Sequence, residues 1–299
     1  MPPSTIPSHR VLRLAPLLLG VVSACTTVTS ADMPLPTTSS TSTTTTTTIP
    51  PSTLPRIEPD LIEQTDRGYK PPPPPTALAP IVEIVGPAPE PIVAVGGANG
   101  EATRKIQERL AVLGFWSGRS ADGVFGLATQ QAVMAFQKYH GLEASGRVDD
   151  ATAFTMTTVE ERAHSNATTG TLVEVDKARQ LLFIVVEART LWVFNASTGS
   201  EIPYEEPNKQ DPTKIERGDS ITPNGLWRVN RERPEGWWDG DLGKIYRPKY
   251  FVGGVAVHGS PKIPNYPASH GCVRVSVPAM DFIWESGFMP IGTPVWVHG

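Results

Sequence analysis

The stretch from about residue 26 to residue 95 sets the first limit on this chain, because it cannot fold into a packed domain. Thr43 to Thr48 is an unbroken threonine run, and Pro71 to Pro75 an unbroken proline run. Such composition offers too little apolar surface to offset the entropy of ordering a chain. The proline part is expected to run as extended polyproline II, at about 3.1 Å per residue. What can fold lies beyond it. That leaves roughly 200 residues, enough for two compact domains.

Ahead of this stretch, Arg10 and Arg13 precede an apolar run from Leu14 to Val22, broken by Pro16 and Gly20. About nine such residues are too few to span a bilayer and suit the core of an export signal. Val22-Ser23-Ala24-Cys25 is similar to a bacterial lipobox, which implies lipidation of Cys25 and a membrane anchor. An ordinary signal peptide with an incidental Cys25 is the plainer alternative. Residues 1–24 thus read as a signal peptide of lipoprotein type. Residues 25–96 read as a disordered Thr/Ser/Pro-rich linker, and the protein as exported, anchored to the membrane or associated with the cell wall.

Residues 97–160 read as a small three-helix module. Ile106, Leu110 and Leu113 recur at helical spacing before Gly114. Ala132, Val133 and Phe136 mark a second helix ending at His140-Gly141, and Asp149 to Thr157 a third. Asp122-Gly123-Val124-Phe125-Gly126 opens a phrase ending at Thr129, with a related one at Gly146 to Thr152. The module resembles the peptidoglycan-binding domain, with Leu127 where proline is common. Trp116, Arg119 and Asp122 are its candidate contacts to glycan or stem peptide. A structural role competes for each, with Trp116 in the core and Asp122 capping the turn.

The chemistry lies further on. The chain has two cysteines, and with Cys25 at the export signal, Cys272 is left as a free thiol. Exported proteins usually pair their cysteines, so a lone thiol asks for a chemical reason. It sits in Ser269-His270-Gly271-Cys272-Val273-Arg274, and His258 lies upstream in His258-Gly259-Ser260. An imidazole within reach can take the thiol proton and leave a thiolate nucleophile. Gly271 permits a sharp turn, and the amides of Gly271 and Cys272 are expected to form an oxyanion hole. Phe251 to Val257 reads as one glycine-interrupted strand that delivers His258 at its end. Arg274, two residues past the thiol, can hold a carboxylate or the developing anion. A zinc site is the competitor, but no second cysteine lies nearby, and His140, His164 and His298 are scattered.

These two segments resemble the L,D-transpeptidase catalytic domain, the YkuD-like family, over residues 170–298. The resemblance implies a mainly-β domain, a sheet sandwich with one or two helices, so the fold class is multidomain. It implies Cys272 as nucleophile, His258 as its base, the Gly259 carbonyl as the group orienting that imidazole, and catalytic roles for His270 and Gly271. Arg274, Ser269, Ser260 and Tyr250 are its substrate contacts. Ser197-Thr198-Gly199 and Thr222-Pro223-Asn224-Gly225 also fit. Glu187-Ala188-Arg189 departs from the family's glycine turn, and Glu201 to Ser220 adds a long segment. The implied reaction joins peptidoglycan stems in a three-to-three cross-link through a thioester, with loss of D-alanine and without metal or cofactor. An L,D-carboxypeptidase and a non-catalytic wall-binding lipoprotein remain the alternatives. The partners are peptidoglycan stem peptides and glycan, and the membrane through a lipid anchor. A net charge of −4 gives no nucleic-acid footprint.

Overall fold

A computed structural model describes residues 78–299 of the protein. The export signal, Cys25 and most of the linker lie outside the described residues. Residues 78–96 depart from the linker reading, for they lie along the helical module. The N–H groups of Val85 and Gly86 both donate to the Glu160 carbonyl, at 2.8 and 3.1 Å. Gly96 pairs with Val148. Val85, Ile92 and Val95 pack against the module's core. They belong to two short apolar runs, Ile81 to Val85 and Ile92 to Val95, separated by the proline-rich Gly86 to Pro91, which is why composition averaged over the whole stretch hid them.

The module has three helices, α1 (Glu101–Val112), α2 (Leu127–Tyr139) and α3 (Asp150–Thr158). Ile106, Leu110, Ala132, Val133, Phe136 and Met156 fill its core. Two buried glutamines hold its turns. The Gln107 amide donates to Asp122, Val124 and Thr129 and accepts from the Gly123 N–H. Gln137 clasps the second phrase in the same way, from the Gly146 N–H to Thr152. The recurrence in the sequence is therefore one turn design used twice. Asp149 caps α3 by accepting from the Thr152 N–H.

Beyond the module run β1 (Leu172–Asp176), β2 (Leu181–Val186), β3 (Arg189–Asn195), β4 (Tyr204–Pro207), β5 (Ile215–Gly218) and β6 (Gly225–Arg228). There follow β7 (Arg231–Glu232), β8 (Trp237–Gly240), β9 (Gly243–Val252), β10 (Val255–Ser260), β11 (Val273–Ser276), α4 (Val277–Glu285) and β12 (Pro294–His298). One sheet has the order β3-β2-β1-β12-β6. A second has β11-β10-β9-β7, with β8 also paired to β9. The strands β4 and β5 form a separate hairpin.

The unbroken apolar run of β2 follows from burial on both faces. Leu182 and Ile184 point into the core shared with the second sheet and α4. Leu181, Phe183 and Val185 point the other way, into the core of the helical module. The module and the catalytic domain thus pack as layers on one sheet. Trp116 takes the structural option: it is 5% exposed, within the core of the catalytic domain. Its ring stacks on Phe282 with centroids 5.0 Å apart.

Two turns differ from, or resolve, the sequence reading. The run from Phe251 to Val257 is two strands, since β9 and β10 are antiparallel neighbours reversing at Gly253-Gly254. Gly253 has φ +53, a conformation open to glycine, so the pair reverses the chain rather than interrupting a strand. His258 accordingly sits within β10, not at its end. Between β2 and β3, Glu187 and Ala188 both take positive φ, 50 and 66. The two-residue hairpin turn is kept without its glycine.

Candidate active site

The second sheet brings the chemistry together. In the parallel pair of β10 and β11, His258 lies opposite Arg274, and Cys272 immediately precedes β11. A cleft of about 780 Å³ opens over this edge. Cys272, His258, His270, Ser269, Ser260, Arg274 and Tyr250 all line it.

His258 is buried and its Nδ1 lies 2.8 Å from the Gly259 carbonyl. A carbonyl only accepts, so Nδ1 carries the proton and Nε2 keeps its lone pair. Gly259 cannot be larger: a Cβ there would lie 2.9 Å from the Tyr246 ring. Burial pulls the imidazole down to about 4, against the opposing pull of the Gly259 hydrogen bond. Cys272 is a half-buried free thiol. Burial pushes it up, and the Ala256 backbone hydrogen bond and the Arg274 charge pull the other way. Both shifts favour the neutral thiol and the neutral imidazole at rest. A proton must move as the sulfur attacks.

The nucleophile turn is tied from both sides. Gly271 has φ +134, and a Cβ there would lie 2.9 Å from the Ile221 carbonyl oxygen. Ser269 Oγ accepts from the Gly271 N–H at 3.0 Å and donates to the Cys272 carbonyl. This corrects the expected oxyanion hole, because the Gly271 amide is already engaged. Thr222, fully buried, donates its hydroxyl to the Gly271 carbonyl at 2.6 Å and accepts from the Gly199 N–H at 2.9 Å. One hydroxyl thereby joins the Ser197-Thr198-Gly199 and Thr222-Pro223-Asn224-Gly225 segments to the turn. Ser260 Oγ donates to the Lys262 carbonyl at 3.1 Å and shapes the loop that follows β10. Arg274 donates to the Ala268 carbonyl, and burial lowers its pKa.

The segment from Glu201 to Ser220 forms the β4–β5 hairpin at the cleft. His270 Nε2 is 3.2 Å from Glu206 Oε1, and its ring packs edge-on to Tyr204 at 4.6 Å. The hairpin tip is anchored to the β8–β9 turn, with the Lys209 N–H donating to the Asp241 carbonyl and Gln210 to that of Asp239. Trp238 lines the cleft, whereas Trp237 packs against Tyr246.

Family profiles for the L,D-transpeptidase catalytic domain and for a peptidoglycan-binding domain match residues 170–297 and 99–156. A solved L,D-transpeptidase from Xylanimonas cellulosilytica is 40% identical, over 70% of this chain and 99% of that one, with a TM-score of 0.60. The chain belongs to the L,D-transpeptidase family. An L,D-transpeptidase from Stackebrandtia nassauensis is 21% identical over 70% of this chain and 96% of its own, with a TM-score of 0.39. One from Mycobacterium smegmatis is 19% identical over 44% and 59%, with a TM-score of 0.33. No curated protein matches.

Membership makes peptidoglycan the partner and the cell wall the setting. Among the described residues, no helix is long and apolar enough to cross a membrane. Of the module's candidate contacts, Trp116 is buried; Arg119 is exposed and paired with Glu285, and Asp122 is exposed and accepts from Gln107 and the Val124 N–H. Glu174, Asp176 and His298 are close enough together to suggest metal ligands. Their carboxylates already accept from Asn166, Ala167, His298 and Arg179, and none of the three lines the cleft. Sequence reasoning missed Tyr204, Glu206, Arg231 and Arg233. They come from hairpins without a motif.

Proposed function

We propose that this L,D-transpeptidase works through Cys272 and forms three-to-three peptidoglycan cross-links. The observation that carries the reading is the buried His258, held by the Gly259 carbonyl so that Nε2 is a neutral acceptor in the cleft of Cys272. As the thiol attacks the amide carbonyl between the third stem residue and D-alanine, its proton moves to Nε2. The Cys272 N–H, rather than that of Gly271, meets the forming oxyanion. The C–N bond breaks, the imidazolium gives its proton to the departing amine, and D-alanine leaves a thioester on Sγ. The side-chain amine of a second stem attacks the thioester, its proton passing through His258 back to sulfur. Arg274, in the same cleft, offsets negative charge near the sulfur.

In this reading Cys25 carries a lipid anchor, and the linker lets the enzyme reach cell wall above the membrane. Replacing Cys25 by serine would then release the protein from the membrane fraction. For the chemistry, intact mass of the full-length protein after brief exposure to a tetrapeptide stem is the test. One acyl adduct mapping to Cys272 supports the reading. An unmodified protein beside accumulating product would refute covalent catalysis.

A further inference from the structure

The cleft is positively charged in a protein of net charge −4. Arg231, Arg233, Lys244, Lys262 and Arg274 line it against two carboxylates, Glu216 and Asp241. Two of these cations are built into the wall. Extended backbone puts Arg231 and Arg233 on one face and Glu232 on the other. Glu232 is spent there on Lys249, at 2.7 Å. The Arg231 guanidinium lies over Tyr250, 3.9 Å from the ring centroid, and that of Arg233 over Trp238, at 3.5 Å. Aromatic stacking fixes the two planes and leaves their edges to hydrogen-bond. Arg233 Nε is buried with no hydrogen-bond partner, and among the described residues neither arginine is paired with a carboxylate. A buried guanidinium N–H without an acceptor costs free energy, and a ligand oxygen would recover it.

We propose that Arg231 and Arg233 form a carboxylate-binding subsite for a peptidoglycan stem, at the cleft end remote from the nucleophile. It rests on the proposed function and deepens it by naming what the cleft selects. The sheet order β11-β10-β9-β7 sets the spacing. Cys272 borders β11, Arg231 belongs to β7 and Arg233 follows it, so the strand axes lie three spacings or about 14 Å apart, with the Arg231 guanidinium reaching back over Tyr250 of β9. About four extended residues cover that distance. A short acidic peptide reacting at Cys272 therefore reaches the arginines with a carboxylate. The carboxylate belongs either to the acyl-donor stem or to the amine-bearing stem.

The test is calorimetric binding of a tetrapeptide stem to full-length Cys272→Ala protein, with and without Arg233→Gln. The free-acid peptide is expected to lose about tenfold or more in affinity on Arg233→Gln. The same peptide with its carboxylates amidated is expected to bind both proteins alike. Arg233→Lys, which keeps the charge, should restore part of the preference for the acid. Equal losses for acid and amide would reduce Arg233 to a packing role, and an unchanged affinity in Arg231→Gln/Arg233→Gln would overturn the subsite. In the protein with Cys272 intact, a rise in KM for one stem with kcat held identifies which stem carries the carboxylate. Arginine-dependent binding without turnover would sink the proposed function and leave the subsite standing. Turnover without acid preference would do the reverse.

Discussion

Thr222→Val removes one hydroxyl and almost no volume, and it should loosen the nucleophile turn. The hydroxyl is fully buried and has two partners, the Gly271 carbonyl and the Gly199 N–H. Valine leaves both without a partner and out of reach of solvent. Each orphaned group costs about 1–3 kcal/mol, so the pair should cost about 3 kcal/mol. For a folded unit of this size that is a fall of about 6–12 °C in melting temperature. The Gly271 carbonyl sits one bond from the nucleophile residue, so its release should also misplace Sγ. A displacement near 1 Å costs on the order of 100-fold in rate. Thermal melting and single-turnover acylation measure the two effects separately. Thr222→Ser keeps the hydroxyl and should stay within about 1 kcal/mol of the parent. A valine variant that melts within a degree of the parent and acylates normally would refute the bridging role.

Other outcomes follow from the same structure. Burial holds His258 near 4, so the acid limb of kcat/KM should fall near pH 4; a limb near 6.5 would mean an exposed imidazole. The same depression has a stability sign. The unfolded imidazole takes a proton near 6.5 and the folded one only near 4, so its contribution is whole above 6.5 and is lost as pH falls toward 4. It amounts to at most about 3 kcal/mol, measurable by urea unfolding across that window. Ala188 holds φ +66 in the β2–β3 turn; Ala188→Gly should gain about 0.5–1 kcal/mol by the same measurement, and a loss would show the turn unstrained. Trp116→Ala should cost about 3–5 kcal/mol and lower the melting of the catalytic domain as well as the module, because its ring lies in that domain's core. Unchanged melting of the catalytic domain would make the module an independent appendage.

What could be read from the sequence was what is written contiguously. The Ser269–Arg274 string and His258-Gly259-Ser260 name their chemistry because adjacent residues build one turn and one strand. Helices α1 and α2 declare themselves by apolar spacing. The rest depends on contacts between distant segments. Trp116, a loop tryptophan, gives no sign of facing a second domain, so a ligand role stayed open until Phe282 and Phe194 were seen around it. Gly253-Gly254 reads as an interruption until β9 and β10 are paired. The lowered His258 and raised Cys272 reflect burial, which no local string encodes. Arg231 and Arg233 look like ordinary surface charge until Tyr250 and Trp238 are placed under them.

The most direct measurement uses protein lacking residues 1–71, beside its Cys272→Ala variant. Both are incubated with purified disaccharide-tetrapeptide, and the products are weighed by mass spectrometry. Retaining residues from 72 keeps the segment that packs on the helical module. A cross-linked dimer lighter by one D-alanine, absent with the variant, is the predicted result. Tripeptide alone would make water the acceptor and the enzyme an L,D-carboxypeptidase. Dimer formed equally by the Cys272→Ala protein would contradict the thioester mechanism outright.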